Sequence, residues 1–307
     1  METKQTYYSN GKLLITAEYL VLDGAKALAL PTKFGQNLII EEISQPEINW
    51  VSYDSDGSIW FEDKISYSEI IDPNLAGEES IKHTLIKILH EAYLLNPTFL
   101  EQEKGYNIST ELSFPKKWGL GTSSTLINNI AQWLQIDAFE LLEKSFGGSG
   151  YDIACAQNNN PIIYQLKNGK PKVESIPFHP SFEENIYFVY LNKKQSSKAA
   201  IANYRKNKTT DTEKNVSKID KITQEIIHAK TTSSMALAIA NHEALMSTIL
   251  ETTTVKEDLF SDFIGETKSL GAWGGDFIMV ISEVNPTTYF ASKGFKTIIS
   301  YKDMILK

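Results

Sequence analysis

The chain has 307 residues, 42% hydrophobic and 22% charged, with a formal net charge of −8. These are the proportions of an ordinary globular protein long enough for two domains, and the acidic balance argues against a nucleic-acid binder, because phosphate backbones attract basic surfaces. Cys155 is the single cysteine, which excludes an intrachain disulfide and a cysteine-based zinc site. The start METKQTYYSN lacks the basic and apolar regions of a signal peptide. No apolar run approaches the roughly 20 residues of a membrane helix. A cytoplasmic protein with no membrane or nucleic-acid partner is therefore expected.

In chain order, KLLI at 12–15 reads as a short buried strand, and ALALPT at 27–32 as an extended piece ending at Pro31. NLIIEEI (37–43), INWVSY (48–53) and SIWFED (58–63) are separated by turn residues, which predicts an antiparallel meander. In the segment 80–95, Ile81, Leu85, Ile88, Leu89 and Ala92 fall at helical spacing. YNISTEL (106–112) is a strand. The stretch 122–134 opens on Thr-Ser-Ser and continues apolar, a helix start with hydroxyl caps. IIYQL and KVESI flank Asn168-Gly169 as a hairpin, and ENIYFVYL (184–191) is a strand. Helices are predicted over 218–231, 234–250 and 258–269. FIMVIS, YFASK and KTIISY close the chain as strand, helix start and strand. The mixture predicts an α+β fold with domains 1–180 and 181–307.

PKKWGLGTSSTL (115–126) is the segment richest in chemistry. Gly119 and Gly121 allow a sharp turn and close backbone approach to a ligand. Thr122, Ser123 and Ser124 then enter a helix whose free N–H groups and dipole form a phosphate cradle. A plain glycine turn before a capped helix explains the same residues equally well. The chain holds no Walker A loop, and the window Gly121 to Thr125 lacks the second glycine of a serine-hydrolase elbow. The five histidines show no metal-ligand spacing: His90-Glu91 and His242-Glu243 each begin an H-E-x-x-H window without its second histidine, and all five are read as structural.

Residues Pro115 to Thr125 resemble the P-x-x-x-G-L-G-S-S-A-A loop of the GHMP kinases (galactose, homoserine, mevalonate and phosphomevalonate kinases). Thr122, Ser124 and Thr125 replace serine, alanine and alanine, and Lys117 stands where glycine is common. Three further segments resemble family motifs in the right order. SNGKLLITAEYLVLDGAKALALPT (9–32) is similar to P-G-K-x-x-L-x-G-E-Y/H, with Gly11, Lys12 and Glu18 matching and Asn10 and Ala17 departing. GGSGYDIACAQ (147–157) is similar to the G-S-G-x-D-x-A segment of mevalonate and phosphomevalonate kinases, with Asp152 at the aspartate. KSLGAWGGDFIMVIS (268–282) is similar to G-A-x-G-G-G before a strand. Trp273 stands there where a small residue is usual, and either narrows the site or packs in the core. KKQSSKAAIANYRKNK (193–208), a basic run in an acidic chain, resembles the substrate-side K-x-S-S-T segment; a solvated helix face explains it too.

The resemblance implies a two-domain GHMP-kinase-like α+β fold, its N-terminal part like ribosomal S5 domain 2 and its C-terminal part ferredoxin-like. It implies ATP and Mg²⁺ as cofactors. Pro115, Gly119, Leu120, Gly121, Thr122, Ser123 and Ser124 would hold the nucleotide phosphates, beside a second loop of Gly271, Gly274 and Gly275, and Ser123 would contact Mg²⁺. Lys12 and Asp152 would be catalytic. Glu18, which would orient Lys12, joins Lys194, Ser196, Ser197 and Lys198 on the substrate side. The expected substrate is a small anionic metabolite, phosphomevalonate above mevalonate, a sugar or homoserine. A diphosphomevalonate decarboxylase and a catalytically silent metabolite-binding paralogue stay open, as does a homodimer.

Overall fold

The computed structural model describes residues 4–76, 80–101, 104–194, 197–206 and 211–307. Its strands are β1 (Gln5–Leu14), β2 (Ala27–Ile43), β3 (Glu47–Tyr53), β4 (Ile59–Ser66), β5 (Gly105–Leu112), β6 (Ile162–Lys167), β7 (Lys170–Ser175), β8 (Ile186–Tyr190), β9 (Glu266–Ser269), β10 (Phe277–Ile281) and β11 (Ile298–Ser300). The helices are α1 (Tyr67–Ile71), α2 (Ile81–Leu95), α3 (Thr98–Glu101), α4 (Thr122–Leu134), α5 (Ala138–Ser145), α6 (Tyr151–Gln157), α7 (Ser197–Lys206), α8 (Thr212–Ile227), α9 (Thr232–Leu250), α10 (Val255–Leu259), α11 (Thr287–Ser292) and α12 (Tyr301–Met304). The fold is α+β. Two compact units interleave along the chain: the first comprises 1–11, 34–116 and 120–157, the second 12–33, 117–119 and 158–307.

In the first unit, β3 and β4 form an antiparallel hairpin, β5 runs parallel to β3, and the 36–43 part of β2 pairs antiparallel with β5. The expected meander is therefore corrected: β5 inserts between β2 and β3, although some 50 residues separate it from β3 in the sequence. Leu38, Ile40, Ile48, Trp50 and Ile65 on the sheet form one core cluster with Leu85 and Leu89 of α2, Ile127 and Ile130 of α4, Leu141 of α5 and Ile153 of α6. Ile127 and Ile130 are fully buried, and each contributes about 1.5–3 kcal/mol relative to exposure. α2 lies in the segment where helical spacing is predicted, and Ser80 caps it, its hydroxyl accepting from the His83 N–H at 3.0 Å.

In the second unit, β11, β8, β10 and β9 form a sheet in that order, antiparallel at each contact. Val189, Ile278 and Val280 of this sheet pack with Val255, Phe260, Phe263 and Phe290. The β6–β7 hairpin turns at Asn168 and Gly169 with φ of 53° and 73°, as the Asn-Gly pair predicts, and β6 pairs with residues 27–29 of β2. The break expected at Pro31 does not occur. Pro31 falls between the stretches of β2 that pair with β6 and with β5, and its carbonyl accepts from the Leu306 N–H at 3.0 Å. The helix expected over 258–269 is also corrected. A Thr254–Glu257 capping box starts α10 earlier, and Gly265, at φ 154°, precedes β9, which pairs with β10.

Candidate active site

Within the first unit, the helix of the glycine-rich segment runs over Thr122–Leu134 as predicted, but its cap is a correction. Gly121 occupies the N-cap position at φ 101°, and no hydroxyl caps the helix. A β-branched residue is strongly disfavoured at that φ. The first intrahelical bond is Thr125 N–H to the Gly121 carbonyl at 2.9 Å, so the amides of Thr122, Ser123 and Ser124 have no intrahelical acceptor. The neighbouring hydroxyls turn inward. Ser124 Oγ donates to the Gly121 carbonyl at 2.9 Å, and Thr125 Oγ1 donates to Gln36 Oε1 at 2.7 Å. Ser123 differs: it is half-buried, and its hydroxyl has no hydrogen-bond partner among the described residues.

Buried polar groups set the register of α4. Asn129 Nδ2 donates to the Gln36 carbonyl at 2.9 Å, Ser9 Oγ donates to Asn129 Oδ1 at 2.7 Å, and Asn128 Nδ2 donates to Ser9 Oγ at 2.8 Å. Gln157 Nε2, at the end of α6, donates to Asn128 Oδ1 at 3.0 Å. This ties α4 to the short helix that carries Asp152 in its first turn. Gly147, Gly148 and Gly150 all take positive φ just before it, so the glycines of that motif form the turn that aims the helix.

Within the second unit, Lys12 is 9% exposed, and its Nζ donates to the Gly119 carbonyl at 3.3 Å. Residues 117–119 are held by a perpendicular ring contact of Trp118 with Phe277, centroids 5.4 Å apart, and by Tyr190 Oη donating to the Lys117 carbonyl at 3.1 Å. Gly119 takes φ 70°, and a Cβ there would collide with the Asp276 carboxylate. Gly271 and Gly274 take φ of 72° and 77°, and the Gly275 N–H donates to the Ala272 carbonyl at 3.2 Å. Lys12, Gly119, Gly271 and Asp276 are thereby brought together. Trp273 donates its indole N–H to the Thr253 carbonyl at 3.1 Å. The basic run begins beside this loop, because the Asp276 N–H donates to the Lys193 carbonyl at 2.7 Å. Lys194 is exposed, Ser197 and Lys198 open α7, and Ser196 lies outside the described residues.

Glu18 is 2% exposed and pairs with the fully buried Lys268. Lys268 Nζ also lies 3.5 Å from Glu243 Oε1 and donates to the Ser269 carbonyl at 2.8 Å. The Ser269 N–H donates to Glu243 Oε2 at 3.1 Å. His242 Nε2 accepts from the Ala17 N–H at 3.2 Å, which leaves its proton on Nδ1, and lies 3.3 Å from Glu18 Oε2. Burial raises the Glu243 carboxyl above its usual range against the pull of Lys268. Sequence reasoning missed this cluster, since its members lie up to 250 residues apart and none follows a spacing rule.

Burial, and then the Lys268 charge, push His242 down to about 3. Between that value and the ordinary histidine range the unfolded chain binds a proton that the folded one refuses. Stability contributed by His242 is therefore complete above pH ~6.5 and lost as pH falls, by up to about 1.4 kcal/mol per pH unit. His242→Gln, which keeps an acceptor for Ala17, should flatten the stability profile between pH ~6 and ~4 by up to one proton. Denaturant titrations of both proteins across that range measure the slope; equal slopes would contradict a neutral buried imidazole.

No family model matches the sequence, and no curated protein matches it. Solved structures match along nearly the whole chain. The mevalonate kinase of Methanococcus jannaschii is 15% identical, with 99% of each chain covered and a TM-score of 0.71. The phosphomevalonate kinase of Streptococcus pneumoniae, in complex with phosphomevalonate and AMPPNP, is 15% identical over 96% of this chain and 99% of its own, with a TM-score of 0.69. The galactokinase of Lactococcus lactis, complexed with galactose, is 13% identical over 94% and 88%, with a TM-score of 0.68.

Proposed function

We propose that this chain, whose fold is that of the GHMP kinases, transfers the γ-phosphoryl group of ATP to a small anionic metabolite, and that phosphomevalonate is the acceptor. The observation that carries the reading is the turn Gly119–Gly121. It opens α4 with three amides that lack an intrahelical acceptor, and Lys12 is hydrogen-bonded to the carbonyl at its start. Such amides bind phosphate oxygens, and a lysine there stabilises charge that develops in the transition state. The Ser123 hydroxyl, without a partner among the described residues, fits a hard cation that takes oxygen ligands and keeps several waters. Magnesium with ATP would supply the activated phosphoryl group and neutralise the phosphate oxygens.

The chain's own residues would do the rest. The amides of Thr122, Ser123 and Ser124 would hold phosphate oxygens, and Ser123 would hold the metal. Lys12 would offset negative charge on the transferred group, and Asp152 would accept the proton of the attacking group or orient that group for attack. Lys194 and the start of α7 would hold the acceptor's charge, lysine being an effective point-charge partner of phosphate. Three sequence features favour phosphomevalonate: the wording EYLVLDG after Lys12, the segment GSGYDIACA, and Asp276 directly after the glycines. We also propose 1–180 and 181–307 as the nucleotide-binding and C-terminal domains.

Mg²⁺–ATP at ~100 times its dissociation constant should stabilise the protein by about 2.7 kcal/mol. Gly121→Val should abolish that shift relative to its own ligand-free melting temperature, because a β-branched side chain blocks approach of phosphate to the amides. Differential scanning fluorimetry reads both. An undiminished nucleotide shift in Gly121→Val would mean that the phosphates bind elsewhere.

A further inference from the structure

Ala17 and Tyr19, on either side of Glu18, take φ of 65° and 62°, a region that side chains other than glycine seldom occupy and that persists only where surroundings enforce it. The surroundings here are specific. His242 holds the Ala17 N–H, and Lys268 holds Glu18. Tyr19, 8% exposed, is left reaching in two directions. Its Oη accepts from the Trp273 backbone N–H at 3.1 Å, in the middle of the glycine loop. Its ring stacks on Tyr204 of α7, with centroids 5.5 Å apart and planes 25° from parallel. Tyr204 is 6% exposed, and its Oη donates to Asp23 Oδ2 at 2.5 Å, which fixes the stack from the other side.

We propose that Tyr19 is a positioning residue that latches the glycine loop at 271–275 to α7, the helix that grows out of the basic run. The proposal rests on the kinase reading above. α7 begins at Ser197, in the segment assigned to the acceptor, and the loop carries the glycines assigned to the nucleotide. Tyr19 touches both, through a hydrogen bond to one and a ring stack with the other. Its backbone cannot relax away, because the residue before it is locked in the buried ion pair. Burial raises the Tyr19 hydroxyl above its ordinary range, so it remains a neutral phenol that can accept from Trp273 at any working pH. The indole of Trp273 has its own anchor on the Thr253 carbonyl; what Tyr19 holds is the loop backbone.

Calorimetric titration with Mg²⁺–AMPPNP tests this. Tyr19→Phe keeps the ring and loses the acceptor, and should weaken AMPPNP binding about three- to tenfold, the worth of one hydrogen bond. In turnover the loss should fall on the nucleotide KM, with kcat changed less than about twofold. Tyr204→Leu, which removes the stack, should weaken AMPPNP to a similar extent, whereas Tyr204→Phe, which keeps the ring and loses only the hydrogen bond to Asp23, should weaken it less than Tyr204→Leu does. Because both act through one latch, the Tyr19→Phe/Tyr204→Leu double variant should be no weaker than the weaker single variant. AMPPNP binding unaffected by Tyr19→Phe, or single effects that multiply in the double variant, overturns the proposal while the kinase reading stands. Failure of the unsubstituted protein to bind AMPPNP at all overturns the kinase reading, and the proposal with it.

Discussion

Lys12→Met and Asp152→Asn should each lower turnover by about 10²–10³-fold while Mg²⁺–ATP still binds, the cost of removing one preorganised transition-state contact. Lys12 is nearly buried, and its Nζ is directed to the Gly119 carbonyl, so methionine can take the same volume without the charge. The loss should therefore be electrostatic. Asp152 sits in the first turn of α6, aimed by three positive-φ glycines, and asparagine keeps its size while it cannot take up a proton. Single-turnover rates and separate nucleotide titrations distinguish chemistry from binding. Turnover near the unsubstituted level in both variants would remove the proposed mechanism.

Lys268→Met should be the most destabilising single change in the second unit. It leaves Glu18 and Glu243, 2% and 4% exposed, without their cation. Breaking a buried ion pair from one side costs about 3–5 kcal/mol, which in a chain of this size lowers the melting temperature by on the order of 10 °C. The cost should depend on pH in a defined direction. Buried carboxylates deprived of a cation bind protons that the unfolded chain does not, so the variant loses stability as pH rises. The deficit should be larger at pH 8 than at pH 5. Adding Glu18→Gln to Lys268→Met should recover part of it, since no charge then remains at that position. A deficit independent of pH would mean that packing, and not charge, is what Lys268 contributes.

How much of this was legible in the sequence depended on how local each cause is. α4 was read to the residue, because helical periodicity and the glycine–hydroxyl start all lie within about twenty residues. What the reading missed there was the cap: the pattern Thr-Ser-Ser predicts hydroxyl capping, but Gly121 takes the N-cap position and the hydroxyls of Ser124 and Thr125 bond back to its carbonyl. The Asn168-Gly169 hairpin was legible for the same local reason. β2 was not, since its continuation past Pro31 depends on partners 62 to 137 residues away in β5 and β6. β9 reads as polar, ETKS, and is buried because β10 pairs with it and Glu18 and Glu243 neutralise Lys268. In the candidate site, the ordered motifs singled out Lys12, the glycine loops and Asp152. The groups that hold them in place, Asn128 and Asn129 of α4 and the His242–Lys268 cluster, carry no local signal at all.

The central claim is that the chain moves a phosphoryl group from ATP to a small acceptor. Release of ADP from Mg²⁺–ATP, followed by a coupled assay across phosphomevalonate, mevalonate, galactose and homoserine, tests it most directly. The expected result is ADP release that requires an acceptor, is fastest with phosphomevalonate, and falls about 10²–10³-fold in Lys12→Met. Acceptor-dependent release with a neutral sugar alone would change the substrate and keep the kinase. Nucleotide binding with no acceptor-dependent ADP release, or release accompanied by CO₂, would contradict the account.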